Sequence, residues 1–451
     1  MIQILRAQQQ RWETWQSRSP NRGIFGAIVT VGGLTSLVRL SGLFKHQLIA
    51  YRFGLSDDCD AFIVAFALPA FLAGLVESIS QSAFIPTFVS VHKREGQTAA
   101  ACLFASMMAS ALALVLVVLA LLLVGERPIL HLLAGGFGSD KLERVRQLFH
   151  WLLPILFLSS VAGLWSSVLN AQGRFALAAV APLMTPLCPI LAMVGFARFG
   201  IRALAAGTVL GALVQCAILG VGLHRYRLPI RPRWHGASPA LRTLLERATP
   251  MLIGALILSS NGIVDQTMAS RLAPGSVAAL EYGNRLSSFV VGIASMALGT
   301  AVLPHFSDMV VERNWLGIRH TLNTYVRWIA VVSVAGTVVL VPLSMSIVRL
   351  LLERGAFTEA DTRMVSHVQI CYLVQAPFYL IGILGVRLLN ALGHNRTLVW
   401  ISSMNVITNL AGNYLLMRVL GLPGIALSTA CVYACSMFVI LHQVKAKLPC
   451  A

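Results

Sequence analysis

The stretch LPAFLAGLVESISQSAFIPTF, residues 68–88, recurs 218 residues later as LSSFVVGIASMALGTAVLPHF, residues 286–306. Leu, Phe, Gly, Ala, Pro and Phe occupy matched positions in the two stretches. A second pair keeps nearly the same spacing, because LNAQG (169–173) recurs as LNALG (389–393). Spacings of 218 to 220 residues kept along the chain indicate two halves of repeated sequence.

Both halves consist of long apolar segments. Of the 451 residues, 57% are hydrophobic and only 12% are charged, and the mean hydropathy is +0.76. A soluble protein carries about twice that charged fraction. The apolar blocks have the length of about 20 residues that a helix needs to cross a bilayer core about 30 Å thick. The sequence therefore predicts an all-α polytopic membrane protein, and it lacks the alternating segments of about ten residues that a β-barrel would show.

Apolar runs between charged residues, glycine and proline predict about twelve spans, six on each side of a basic segment. Because each half has an even number of spans, the two six-helix repeats run in parallel, and a substrate site is expected at their interface. Duplicated halves around such a site are typical of an alternating-access transporter. The predicted spans are 24–50, 60–90, 98–125, 147–170, 176–198, 201–223, 248–271, 276–305, 322–350, 363–391, 396–417 and 421–443.

The net charge of +18 raises the alternative of a nucleic-acid-binding protein. However, Lys and Arg lie mainly in short segments between the apolar blocks, and this placement favours membrane orientation by the positive-inside rule. The rule places both termini in the cytoplasm, and no nucleic-acid partner is expected. The predicted parts are a polar arm (1–23), an N-lobe (24–223), a basic linker (224–247), a C-lobe (248–443) and a tail (444–451).

Charged residues inside the predicted spans are the candidates for function. Such charges are costly in hydrocarbon and usually face a bundle interior or a water-filled cavity. Arg39 and His46 are seven residues apart and share a helix face, whereas Lys45 points elsewhere and could snorkel to the interface. Arg39 has no carboxylate within one turn, so it needs a partner on another helix or a ligand, and we favour the ligand. An arginine pair in a wet cavity suits a phosphate or diphosphate, since the guanidinium binds oxygens bidentately.

Other charged positions leave two interpretations open. Glu281 and Arg285 lie four residues apart and could form a pair that neutralises itself. Gly74, Glu77 and Gln81 form one polar stripe, although small residues in such stripes more often pack helices closely.

Asp265, in the middle of the seventh predicted span, is a candidate for ion coupling. Asn405 and Asn409, together with Asn413, recur every four residues in the eleventh span and could supply oxygens to Na⁺. Hydrogen bonding between helices is the alternative role of this asparagine ladder. No firm metal site is predicted, because the histidines and the eight cysteines lack ligand spacing. No nucleotide-binding or hydrolase motif occurs either, so we expect neither an enzyme nor a bound cofactor.

Three segments carry a resemblance to a known family. RLSGLFKHQLIAYRFG followed by CDAFIVAFALP and SAFIPTF, the stretch EYGNRLSSFVVGIASMALGTAVLPHFS, and RGAFTEAD all resemble the bacterial lipid II flippase family. This family belongs to the multidrug/oligosaccharidyl-lipid/polysaccharide exporter superfamily, and the resemblance extends from about residue 24 to residue 443.

The resemblance implies a V-shaped, two-lobed flippase of the bacterial inner membrane. It would move an undecaprenyl-diphosphate-linked sugar, lipid II, to the outer leaflet without nucleotide hydrolysis. Na⁺, H⁺ or the membrane potential would drive it, and the chain is expected to act as a monomer among membrane lipids. Matched to the family, Arg39 and Arg285 are cavity arginines, and Asp60 and Glu77 are its second-span acids. We therefore assign Arg39, Arg285, Lys45 and His46 to diphosphate binding, and Asp60, Glu77 and Glu281 to gating or charge pairing.

The chain also departs from the family pattern. Lys45-His46 stands where the family has an Arg-Asp pair, and Ala73-Gly74 stands where it has two arginines. Two C-terminal helices found in family members are expected to be lacking. These departures favour an alternative cargo, another lipid-linked oligosaccharide of the exopolysaccharide or O-antigen type. A drug or cation antiporter is a weaker alternative, because its cavity should be lined by acids.

Overall fold

The computed structural model describes residues 20–226, 228–236 and 239–448, and the regular structure in them is helical. Sixteen α-helices follow one another along these residues. They are α1 (Pro20–Phe53), α2 (Asp57–Ile79), α3 (Ile85–Val124), α4 (Glu126–Leu133), α5 (Ser139–Leu152), α6 (Pro154–Ala171), α7 (Phe175–Val180), α8 (Met184–Gly195), α9 (Ile201–Arg225), α10 (Pro239–Ala269), α11 (Ser276–Val311), α12 (Trp315–Leu352), α13 (Glu359–Val374), α14 (Ala376–Ala391), α15 (Asn395–Leu420) and α16 (Leu422–Lys447).

Several helices have the length and composition of membrane spans. Among the described residues, eight helical stretches are long and apolar enough to cross a bilayer. They are Asp57–Val124, Ser139–Ala171, Phe175–Gly195, Ile201–Arg225, Pro239–Ala269, Trp315–Leu352, Glu359–Ala391 and Leu422–Lys447. The protein is thus an all-helical multi-pass membrane protein, whereas the layout of twelve spans in two repeats stays a prediction.

The first of these stretches contains two predicted spans in one helical run. A π-helical turn, Ser80–Phe84, joins α2 to α3, and α3 has a kink at Gly96, where φ is 89° and ψ is 179°. The predicted break between the second and third spans, residues 91–97, is therefore this kink. Glycine fits there because positive φ is strained for residues that carry a Cβ.

Other span boundaries differ from prediction at prolines. The fourth predicted span begins earlier, at Ser139, and is divided before Pro154, which stands in the first turn of α6. The tenth is divided in the same way at Gln375, before Pro377. Proline has no N–H for an intrahelical bond, so it fits the first turn of a new helix. The last residues of the predicted linker are helical, because α10 begins at Pro239.

Two turns of the sequence repeat have the same backbone geometry. Gly173 has φ 74° and Gly393 has φ 76°. The N–H of each glycine donates to the asparagine three residues earlier, at 3.0 Å in both turns. The Asn and Gly shared by LNAQG and LNALG thus form the same local turn in both halves of the sequence.

The chain divides into two compact units, each with its own core. The first unit contains the described parts of Met1–His46, Pro69–Val124 and Leu148–Leu252, and the second contains Gln47–Leu68, Gly125–Gln147 and Ile253–Ala451. The core of the first unit includes Phe84, Phe88 and Phe104, and the ring centroids of Phe84 and Phe104 lie 5.6 Å apart. The core of the second unit includes Phe306, the repeat counterpart of Phe88.

Candidate functional site

Arg285 lies on α11 in the second unit and forms an ion pair with Glu281 one turn earlier. Its Nε donates to Oε1 of Glu281 at 2.6 Å, and the Arg285 side chain is 54% exposed while that of Glu281 is 15% exposed. Gln266 of α10 reaches the second oxygen of Glu281 at 3.5 Å. The two terminal nitrogens of Arg285 have no hydrogen-bond partner among the described residues of this unit. The pair thus leaves the end of the guanidinium open to an anion.

The candidate cations of α1 belong to the first unit. Arg39 is exposed, and it has no hydrogen bond or ion pair with another described residue of its unit, whereas Lys45 and His46 are partly buried. A Cβ built on Gly42, on the helix face of Arg39 and His46, would meet no atom within 4 Å. The space beside Gly42 is therefore open, which leaves room for a ligand next to Arg39.

Glu77 lies on α2 where this helix packs closely on α6, since a Cβ built on Gly163 would lie 3.2 Å from Cβ of Glu77. It is exposed, and its Oε1 accepts a hydrogen bond from Nε2 of Gln81 at 3.0 Å. A Cβ on Gly74 would meet nothing within 4 Å, so the stripe is not a close helix contact at this position. An exposed acid beside a glutamine would be costly against lipid. This pattern therefore favours water around the Glu77 carboxylate.

Asp265 joins three helices of the second unit in a buried polar cluster. Its Oδ1 accepts from Nδ2 of Asn409 at 3.0 Å and from Nδ2 of Asn413 at 2.7 Å. Its Oδ2 accepts from the hydroxyl of Thr429 on α16 at 3.4 Å. The predicted partner Asn405 lies elsewhere, bonded to Ser436. Asn413 takes its place, and Thr429 is a member that the sequence analysis missed, because no pattern links it to the ladder.

The two carboxamide oxygens of this cluster differ in their hydrogen bonding. Oδ1 of Asn413 is buried without a hydrogen-bond partner among the described residues, and Oδ1 of Asn409 accepts from Nδ2 of Asn413 at 3.3 Å. Leaving a buried polar atom unpaired costs about 1–3 kcal/mol. Rotation of the amides would present carboxamide oxygens beside the carboxylate, and oxygens are the ligands of Na⁺.

Asp60 opens α2 and lies in a second buried polar cluster, at the start of α11. The residue is 1% exposed. It accepts hydrogen bonds from the backbone N–H of Gly275 and of Ala278, each at 2.8 Å, and from Nζ of Lys141 at 2.7 Å. Sequence reasoning missed Lys141, although its spacing from Arg144 places two cations on one face of α5, facing the acidic turn 57–60.

Comparisons with known proteins agree with this fold. A family model described as Lipid II flippase MurJ matches residues 49–450. A probable lipid II flippase MurJ of Synechocystis sp. is 26% identical over 453 residues, which cover 95% of this chain and 84% of that protein. Lipid II flippase MurJ of Burkholderia cenocepacia is 27% identical over 444 residues, which cover 93% of this chain and 84% of that protein.

Solved structures show the same helical fold. Lipid II flippase MurJ in an inward closed conformation superposes with a TM-score of 0.81 at 21% identity, covering 92% of this chain and 87% of that chain. An inward-facing multidrug resistance MATE family transporter of the MOP superfamily superposes with a TM-score of 0.72 at 14% identity, covering 93% and 98%. The fold and its apolar helices thus define a multi-pass membrane protein. Because the family model matches most of its length, the chain belongs to the lipid II flippase MurJ family.

Proposed function

We propose that this protein translocates lipid II, an undecaprenyl-diphosphate-linked sugar precursor for peptidoglycan, from the cytoplasmic to the outer leaflet of the bacterial inner membrane. The protein acts as a monomeric transporter rather than an enzyme, with both termini in the cytoplasm and with no nucleic-acid partner. The match of the family model to residues 49–450 carries this proposal. Two lobes, 24–223 and 248–443, alternate access by rocking.

The diphosphate is bound by arginine in this mechanism. Glu281 occupies Nε of Arg285, so the two terminal nitrogens can bind two phosphate oxygens in a bidentate fork. Arg39 is the second arginine proposed for anion binding, and Lys45 and His46 add positive charge on the same helix. Glu77 acts as a charge partner that changes as the lobes move, whereas Asp60 is the charge partner of Lys141. The prenyl chain stays in lipid.

Transport energy comes from the membrane potential or from an ion gradient. One elementary charge crossing 100 mV gains about 2.3 kcal/mol, which suffices to bias a cycle of rocking lobes. The Asp265 cluster supplies the coupling site, and Na⁺ would be held by the carboxylate together with the carboxamide oxygens of Asn409 and Asn413. Oδ1 of Asn413 has no hydrogen-bond partner in the described part of the chain, and this supports the role.

Complementation tests the proposed cargo. The chain is expressed in bacteria depleted of their own lipid II flippase, membrane insertion is verified, and growth is scored. Wild-type protein should rescue growth and Arg285→Ala should not, because alanine removes the anion-binding fork. Arg242→Ala is the matched control, since Arg242 forms an exposed i,i+4 pair with Glu246 on α10. Inserted wild-type protein that gives no rescue would reject lipid II as the cargo.

One observation favours a second candidate cargo. Lys45 and His46 replace the Arg-Asp pair that the family carries, so the anion-binding face of α1 has a different charge arrangement. A flippase for another undecaprenyl-linked oligosaccharide, of the exopolysaccharide or O-antigen type, would keep Arg39 and Arg285 for the diphosphate. It would then rescue a strain that lacks the corresponding polysaccharide exporter.

A further inference from the structure

The start of α2 is joined to the start of α11 by one buried carboxylate. Ala278 lies in the first turn of α11 and Gly275 immediately precedes it, where backbone N–H groups have no acceptor within the helix. Asp60 supplies the acceptors from another helix, with Oδ2 on Gly275 and Oδ1 on Ala278. The positive end of the helix dipole also favours a negative charge here.

This joint needs a cation because Asp60 is almost fully buried. An ionised carboxylate in such a place is costly without a charged partner. Lys141 provides that partner: its side chain is 11% exposed, and Nζ lies 2.7 Å from Asp60 and 2.6 Å from Asp57. The ammonium also lies 4.0 Å from the ring centroid of Phe137, a cation–π contact that holds it in place.

The neighbouring pair on the same helix differs in burial. Arg144 of α5 binds Asp58 at 2.8 Å, but both side chains are well exposed. Exposed ion pairs contribute little to stability, whereas removal of one partner of a buried pair leaves an uncompensated charge. Lys141 and Arg144 therefore provide a matched comparison on one helix face.

We propose that Lys141 is a positioning residue, which keeps Asp60 on the first turn of α11 and thereby fastens the beginning of α2 there. The beginning of α2 lies in the segment Gln47–Leu68 of the second unit. From Pro69 onward, α2 is part of the first unit. Lys141 thus acts on a helix that runs from one unit into the other. The consequence for transport rests on the proposed flippase function, whereas the fastening itself does not.

The chain contains its own reporter of this joint. Cys59, next to Asp60, is completely buried, and its Sγ lies 3.5 Å from the hydroxyl of Tyr282 on α11. Separation of α2 from α11 would expose this thiol. Cys216, buried in the first unit with its Sγ bonded to the carbonyl of Leu158, reports on unfolding elsewhere.

The test measures alkylation of each cysteine by N-ethylmaleimide in membranes that contain the full chain, with peptide mass spectrometry as the readout. In Lys141→Met, Cys59 should react about tenfold faster or more than in wild type, while Cys216 stays protected. Lys141→Arg should restore the wild-type rate, and Arg144→Met should leave it unchanged. Unchanged Cys59 alkylation in Lys141→Met would overturn the fastening, as would equal acceleration at Cys216.

Growth complementation with the same variants tests the consequence for transport. Lys141→Met should lose rescue and Lys141→Arg should retain it. Exposed Cys59 with full rescue would overturn the role in transport and leave the proposed function intact. If wild-type protein itself gives no rescue, the proposed cargo fails, and the alkylation result still decides the fastening.

Discussion

At the scale of single residues, Arg285 uses one of its N–H donors for a structural partner and leaves others available to a ligand. Nε of Arg285 donates to Glu281, whereas its terminal nitrogens have no hydrogen-bond partner among the described residues of its unit. A self-neutralising pair and an anion site are therefore compatible descriptions of the same two residues, since a guanidinium carries five N–H donors. Asp265 differs, because both of its oxygens accept hydrogen bonds from described residues.

The Asp265 cluster makes a prediction at this scale. With Na⁺ in place of choline at constant ionic strength, the melting temperature of the wild-type protein should rise, because an ion that binds only the folded state stabilises it. The gain is about 1.4 kcal/mol at a sodium concentration ten times the dissociation constant.

Asp265→Asn should abolish the sodium-dependent rise, since the carboxylate charge is gone. Asn405→Ser is the control and should keep it, because Asn405 bonds to Ser436 instead. A wild-type melting temperature that does not respond to Na⁺ would contradict ion binding here.

At the scale of elements, glycine determines where the long helices turn or end. Gly173 and Gly393 adopt left-handed φ after α6 and α14, and Gly200 (φ 56°) and Gly421 (φ 64°) do so before α9 and α16. These glycines lie at corresponding places in the two halves of the sequence. The two halves of the repeated sequence thus share turns at matched glycines, and each turn orients the helix that follows it.

Substitution of the matched glycines tests this account. Gly393→Ala should destabilise the protein by about 1–2 kcal/mol, because an L-residue is strained at positive φ. A Cβ there would meet no atom within 4 Å, so steric conflict does not contribute. Gly336→Ala in the interior of α12 is the control, which has equal space and should not destabilise. The measurement is thermal unfolding in detergent, and equal melting temperatures of the two variants would contradict the role of φ.

At the scale of the whole molecule, the distribution of charge predicts the orientation in the membrane. The basic linker 224–247 carries six arginines, so the positive-inside rule predicts that it lies in the cytoplasm. Alkaline phosphatase fused after residue 235 should be inactive, while the same enzyme fused at Gly138, between α4 and α5, should be active. Green fluorescent protein at the same positions should give the opposite pattern. Active phosphatase at the linker would reverse the proposed topology.

Much of the fold was predictable because hydrocarbon allows few backbone solutions. Long apolar runs must become helices, since each backbone polar group needs a partner within its own segment. Boundaries were less predictable where the chain continues as helix beyond the apolar run, as at Ser139 and Pro239. Polar helix ends can be stabilised by packing, which hydropathy does not report.

By itself the sequence determined the all-helical membrane fold, the repeated segments and the candidate charges Arg39, Arg285, Asp60 and Asp265, because each follows from local composition or spacing. Only the tertiary structure decided which side chains meet. It paired Asp60 with Lys141, 81 residues away, and Asp265 with Asn413, 148 residues away. Such partners are chosen by helix packing, in which burial makes a matching donor necessary and sequence distance has no influence.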